Sequence, residues 1–252
     1  MEYIEVVSDL ENRIRAHKLF SKTSLEKVLE ACLESVRDNA KILDLGCGSG
    51  NFYDLFASKA QCYIGIDISD ELLREFSNNR QQKAILICSN MDDLPRFQKN
   101  SFDAIFSIYS IYYSLYPKEL IQKLYLSLSE SGEFFVVGPS KNAHAAEINE
   151  FCNTLTQGRN PVGEKNARLA NFHSEIVPGI FRRFSTAKVE DIDGSLYFPS
   201  PAEWARYASS TPQVRECCDL STDQLLALAS RFSAVNSCLS VSKHMTVVTA
   251  RK

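Results

Sequence analysis

An α/β fold, with an open and mostly parallel sheet and helices on both faces, is what this sequence of 252 residues predicts. Three observations carry that prediction. Short apolar runs alternate with helix-patterned runs from about residue 25 to Ser140. Three glycines spaced two apart, Gly46, Gly48 and Gly50, follow the first apolar run in KILDLGCGSGNF. An acid, Asp67, ends the next run in YIGIDIS, about 20 residues after the first glycine.

The elements follow in order. Residues 9–37 read as helical, with a break at 20–23; Leu25, Val28, Leu29 and Cys32 share one face, and Thr23 or Ser24 can cap the second segment. Residues 41–45 form a strand, 52–59 a helix and 62–66 a strand. Ser69-Asp70-Glu71 opens a capped helix to about Asn79. Strands are predicted at 84–88, 102–108 and 133–137, with a helix over 117–128. Residues 141–184 hold no clear strand; 189–192 and 244–250 read as the last two strands, and 201–209 and 221–231 as helices. No internal repeat, low-complexity segment or linker interrupts the chain, so a single domain with an insertion is expected.

Composition narrows the function. Net charge is −3, and the densest basic groups, Arg182-Arg183 and Arg13/Arg15/Lys18, read as solvated faces, which argues against nucleic acid as the partner. No apolar run is long enough to cross a bilayer, and Glu2 and Glu5 stand where an export signal would carry positive charge. The eight cysteines form no CxxC pair, so no metal site is expected; Cys217-Cys218 could bind a soft metal, but reduced thiols, and with them a cytoplasmic setting, are the simpler reading.

In an open parallel sheet, ligands bind beyond the carboxyl ends of the strands where strand order reverses. Gly46, Gly48 and Gly50 occupy that place. Bare glycines can take positive φ and let a ligand touch the backbone, although a tight turn with no ligand needs the same residues. Asp67, at the neighbouring strand tip, can accept both hydroxyls of a ribose. The dinucleotide pattern G-x-G-x-x-G would need its third glycine at Asn51, and Asp44 would repel a pyrophosphate. A ligand carrying an ammonium and a sulfonium suits Asp44 better.

On these residues the sequence resembles the class I S-adenosylmethionine-dependent methyltransferases. ILDLGCGSG resembles the family's first motif, which implies that Asp44, Gly46, Cys47, Gly48 and Gly50 hold the methionine part of the cofactor. GIDIS puts Asp67 at the ribose acid and Ile68 beside the adenine. CSNMDDLP is similar to the block often reading G-D-A-x-x-L-P. It departs from that block in holding Asn90 where Asp is common; Asn90 or Asp92 would accept from the adenine amino group, and Met91 would offer its N–H. FDAIFSIYSIYY resembles the fourth strand, tipped by Ser107, and the loop over the reacting methyl. The resemblance implies a Rossmann-like, seven-stranded, mostly parallel sheet with the last strand antiparallel. It also implies S-adenosyl-L-methionine as cofactor, S-adenosyl-L-homocysteine as product, and no metal.

The same resemblance divides the single methyltransferase domain over 1–252 into parts. These are an N-terminal helical cap (1–24), a cofactor core (25–140), an acceptor lid with the sixth-strand region (141–215), and a C-terminal helix and strand (216–252). Tyr109, Tyr112 and Tyr113 should surround the transfer point, where ring faces suit a sulfonium. Tyr112 and Tyr109 are catalytic candidates, with His144 as a general base. Tyr113, His173 and Trp204 are candidates for holding the acceptor. The plainer readings are core packing for the aromatics and surface positions for the histidines. LYFPSPAEWARYASSTP resembles a stretch of biosynthetic small-molecule methyltransferases, which favours a small-molecule acceptor methylated at oxygen, as hydroxyl or carboxylate. The rival readings are N- or C-methylation, an RNA or protein acceptor, a nicotinamide-dependent oxidoreductase, and a cofactor-binding protein without catalysis. Monomer and homodimer are both compatible with the sequence.

Overall fold

The computed structural model describes residues 7–79, 84–141, 145–158 and 171–252. Nine strands are present among them: β1 (Ala40–Leu45), β2 (Ala60–Asp67), β3 (Ala84–Cys88), β4 (Phe102–Ile108), β5 (Leu128–Pro139), β6 (Thr186–Asp193), β7 (Leu196–Tyr197), β8 (Ser240–Val241) and β9 (His244–Arg251). Seven form one sheet in the order β3-β2-β1-β4-β5-β9-β6, and β7 pairs with β8 separately. β1 runs parallel to β2 and β4, β2 to β3, and β4 to β5, whereas β9 is antiparallel to β5. The expected seven-stranded, mostly parallel sheet is therefore present. Strand order reverses between β1 and β4, which opens a crevice beyond their carboxyl ends.

The central strands are buried on both faces, so they read as continuous apolar runs rather than alternating ones. All of β1 except Lys41 is buried. β3 and β4 have the bounds expected from sequence. β5 is longer than expected because Leu128 pairs with Phe102 before a register shift brings Glu133 opposite Ala104. The early helices are α1 (Val7–Phe20), α2 (Leu25–Leu33), α3 (Tyr53–Ala57), α4 (Asp70–Asn79) and α5 (Pro117–Ser127). The break at 20–23 separates α1 from α2 as predicted, but α2 ends at Leu33, short of residue 37.

The chain packs as two compact units. The sheet unit holds Glu26–Pro139, Arg168–Asp191 and Met245–Lys252. On one side of its sheet Phe56 stacks on Phe106 at 4.3 Å and Phe106 on Phe135 at 4.7 Å. On the other, Leu43, Leu45, Ile105 and Val136 bury against Ile121 and Leu124 of α5 and against Phe172, Ile176 and Ile180. Phe172 and Ile176 lie on a π-helical turn, Phe172–Ile176, and Ile180 on the helix α6 (Val177–Arg183) that follows it. Each such side chain contributes about 1.5–3 kcal/mol on burial.

The helical unit holds Met1–Leu25, Ser140–Ala167 and Ile192–His244. Trp204, on the helix Pro201–Ser209, sits at its centre between Phe151 and Phe232. Arg215 donates to both oxygens of Asp9, at 2.7 and 2.9 Å, and Ser221 with Gln224 caps the helix Thr222–Asn236 at both partners. No helix among the described residues is long and apolar enough to cross a membrane. All eight cysteines are free thiols.

Candidate functional site

The crevice beyond β1 and β4 is built by the glycine turn. Gly46, Gly48 and Gly50 all have positive φ, at 79°, 53° and 76°. Two of the three are bare because of internal packing. A Cβ on Gly46 would lie 2.3 Å from Ser110 Cβ, and one on Gly50 2.6 Å from the Phe76 ring. Gly48 differs, since nothing lies within 4 Å of the Cβ it lacks. Its bare side faces open space, as a cradle for a ligand requires.

Gly46 and Cys47 donate their N–H groups to the Ile66 carbonyl at 2.7 and 3.1 Å, which pins the turn to the tip of β2. Asp67 does the rest. Its Oδ2 accepts from Gly48 N–H at 2.8 Å and its Oδ1 from Ser69 N–H at 2.9 Å. Ser69 in turn caps α4 by accepting from Leu72 N–H. Each Asp67 oxygen keeps further acceptor capacity, so the carboxylate can anchor the turn and still receive a pair of hydroxyls. Ile68, the next residue, is 70% exposed.

Asp44 is 3% exposed and accepts from the Tyr63 hydroxyl at 2.8 Å. Its register partners are Gly65 on one side and Phe106 on the other, in the interior of the sheet. That desolvation pushes its carboxyl up to about 7; the nearby Asp67 charge adds to the rise, and the Tyr63 hydrogen bond pulls against it. In an unfolded chain the same group ionises near 3.9. Between those values the folded state holds a proton that the unfolded state has released. The stability Asp44 contributes is thus full below about pH 4 and is lost as pH rises through about 7. Asp44→Asn is expected to remove this slope and be more stable than wild type at pH 8, as read from urea midpoints at pH 5 and pH 8.

At the tip of β4, Ser107 is fully buried and shares a hydrogen bond with Ser110 at 2.6 Å, while Ser110 Oγ donates to the Leu45 carbonyl. This serine pair ties β4 to the glycine turn. Tyr109, between them in sequence, stands at φ 53° and donates its N–H to the Val137 carbonyl at 2.7 Å. A left-handed tyrosine is strained by about 1–2 kcal/mol. Tyr109→Gly is expected to change stability by no more than about 1 kcal/mol, as relief of strain offsets lost ring contacts, against about 3–5 kcal/mol for truncating an unstrained buried aromatic. Thermal melts of the variant test this.

Tyr112 is half-buried, 4.8 Å from the Tyr113 ring and 6.1 Å from Phe172; Tyr113 is 54% exposed. His173 Nε2 donates to the Pro139 carbonyl at 2.8 Å, at the carboxyl end of β5, which leaves Nδ1 as the acceptor of the neutral ring. These residues gather on the same edge of the sheet unit as the glycine turn. His144 lies outside the described residues.

Three expectations take a different form. Trp204 is fully buried and its Nε1–H is taken by the Ser240 carbonyl at 3.1 Å, so it is a core residue and offers no face to an acceptor. Asn90 caps the turn Met91–Asp93 by accepting from Asp92 N–H at 2.9 Å, and can receive an adenine amino group only with its second lone pair. The Asp92 carboxylate accepts from Ser114 and Leu115, on the loop after β4. Met91 is partly buried against the core beside that turn. Tyr63, Ser110 and Ser114 were not singled out from the sequence. Tyr63 alone left a signal, standing two residues before Gly65 on the face that Asp44 shares.

A bare glycine turn at the switch point of a β3-β2-β1-β4-β5-β9-β6 sheet, with an acid at the tip of β2, is the fold of the class I methyltransferase structures. Residues 43–136, just over a third of the chain, match the profile of the methyltransferase domain family. The chain is 30% identical over 104 residues to the tRNA U34 carboxymethyltransferase of Pseudoalteromonas atlantica, a match spanning 39% of this chain and 32% of that protein. It thus spans about a third of the length of that relative. It is 25% identical over 145 residues to the uncharacterized methyltransferase YcgJ of Bacillus subtilis, covering 55% of each. The crystal structure of YcgJ superposes with a TM-score of 0.58 over 90% of this chain and 97% of that one, at 15% identity. An N-methyltransferase of Haemonchus contortus in complex with S-adenosylhomocysteine gives 0.54 at 14% identity, over 91% of this chain and 53% of that one. Likeness at such identities is likeness of fold.

Proposed function

We propose that this chain transfers a methyl group from S-adenosylmethionine to a small-molecule acceptor, at a hydroxyl or carboxylate oxygen. The observation that carries the cofactor half is the open face of Gly48 beside the two-oxygen anchor of Asp67. Asp67 binds the ribose hydroxyls, Ile68 covers the adenine, and Asn90 and Met91 meet its edge. The glycine turn lines the methionine part with its bare backbone, and Asp44 becomes anionic when a ligand ammonium approaches. The bound cofactor supplies a methyl on a positive sulfur, which an acceptor atom displaces in line.

The chain's own work is alignment and proton handling. The half-buried Tyr112 and the strained Tyr109 orient the acceptor and face the cation. His173, its ring fixed by Pro139, presents Nδ1 to an acceptor hydroxyl and takes its proton; a carboxylate acceptor needs no such step. His144 is the alternative base, and Tyr113 contributes its exposed ring to the acceptor. The net charge of −3 and the aromatic loop favour a small acceptor. An RNA acceptor is the second reading, favoured by the tRNA-modifying relative.

The test is calorimetric titration with S-adenosylhomocysteine, followed by transfer of radiolabelled methyl to hydroxy and carboxy small molecules and to bulk tRNA. Binding with transfer to a small molecule supports the proposal. Transfer to tRNA alone replaces it with the second reading. Absence of binding removes both.

A further inference from the structure

The turn after β3 and the loop after β4 are joined through one residue. Asp92 Oδ2 accepts from Leu115 N–H at 2.8 Å, and Oδ1 accepts from Ser114 Oγ. Ser114 Oγ accepts in turn from Tyr116 N–H at 3.1 Å, and the Ser114 residue is 5% exposed. The Asp92 backbone carbonyl accepts from Lys123 Nζ, on α5, at 2.7 Å. On its own side of the crevice Asp92 is held by the Asn90 cap, and Ser89 Oγ donates to the Asp93 carbonyl at 3.2 Å. The segment 89–93 and the loop carrying Tyr109, Tyr112 and Tyr113 therefore form one hydrogen-bonded body. A carboxylate suits the junction because it only accepts: both donors of the loop, a hydroxyl and a backbone N–H, need an oxygen, and an amide would turn an NH₂ toward one of them.

We propose that Asp92 is a positioning residue that couples cofactor binding to acceptor binding. Occupation of the Asn90–Met91 turn orders the tyrosine loop through Asp92, so the cofactor binds before the acceptor and completes the acceptor's site. The inference rests on the reading of that turn as the adenine side of the cofactor site. Asp92 itself touches no ligand. Asp92→Asn severs one arm of the junction, leaves the Asn90 cap on the backbone N–H of residue 92, and leaves the cofactor's own contacts in place.

The experiment is hydrogen exchange by mass spectrometry on the full chain, with and without S-adenosylhomocysteine, comparing peptides over 89–94 and 109–116. Titration calorimetry of wild type and Asp92→Asn accompanies it. In wild type the ligand slows exchange in both peptides. In Asp92→Asn affinity stays within about threefold, 89–94 is still protected, and 109–116 exchanges about tenfold faster and gains no protection from ligand. Loss of affinity by more than about thirtyfold with unchanged exchange in 109–116 would make Asp92 a cofactor ligand and overturn the proposal. Ligand protection of 109–116 that persists in the variant overturns the coupling. If the wild type fails to bind, the cofactor reading falls and the coupling with it; exchange of 109–116 in the ligand-free pair then still reports whether Asp92 holds the loop. Should Asp92→Asn fold poorly, Ser114→Ala removes one bond of the same junction and is expected to give the same pattern at about threefold.

Discussion

Asp67→Ala is expected to weaken S-adenosylhomocysteine binding by more than about a hundredfold, by titration calorimetry near neutral pH. Two charge-assisted bonds to ribose hydroxyls would be lost, and each contributes about 1.5–3 kcal/mol. A second effect adds to the first. The Gly48 and Ser69 N–H groups lose their acceptor, so the turn that cradles the ligand loosens as well. Asp67→Asn separates the two contributions. Its single carbonyl oxygen can hold one backbone N–H but no longer both, and its affinity should fall between wild type and alanine, about tenfold below wild type. Thermal midpoints of both variants should stay within a few degrees of wild type, because the anchor is half-exposed and local. An unchanged dissociation constant for Asp67→Ala would remove the ribose role of this residue.

Alanine at Gly46 and alanine at Gly48 are expected to fail in opposite ways. At Gly46 the new Cβ meets Ser110 Cβ at 2.3 Å, in a backbone at φ 79°, with Ser110 itself bonded to the Leu45 carbonyl. Left-handed strain and overpacking each cost about 1–3 kcal/mol, so urea denaturation should show a loss of about 3 kcal/mol or more. At Gly48 only the strain applies, about 1 kcal/mol, since the space beside it is open. That open space is where the ligand lies in the proposed function. Gly48→Ala should therefore keep most of its stability and lose S-adenosylhomocysteine affinity by more than about tenfold. Equal binding by Gly48→Ala and wild type would mean that the open face is not the ligand's side of the turn.

The layout of this molecule was legible in its sequence wherever the cause was local. The parallel core strands are continuous apolar runs because both faces are buried, and β3 and β4 have the bounds the pattern predicts. The glycine turn and Asp67 were legible because positive φ and a strand-tip carboxylate are demands of a few consecutive residues. The two-residue strands β7 and β8 were not, since two residues carry no period. Side-chain partners were the other gap, for a related reason. Which way a side chain faces depends on register and on segments far along the chain. Trp204 went to a core because Phe151, Phe232 and the Ser240 carbonyl surround it. The Asp92 carboxylate went to Ser114, 22 residues on, a partner that no local pattern announces. Asp44 was readable as a buried acid in need of a partner, but the choice of Tyr63, and with it a carboxyl raised to about 7, came from the pairing of β1 with β2 and burial in the interior of the sheet. Periodicity and backbone demand are written in neighbouring residues; the partner of a buried polar group is selected only when the strands and loops have packed.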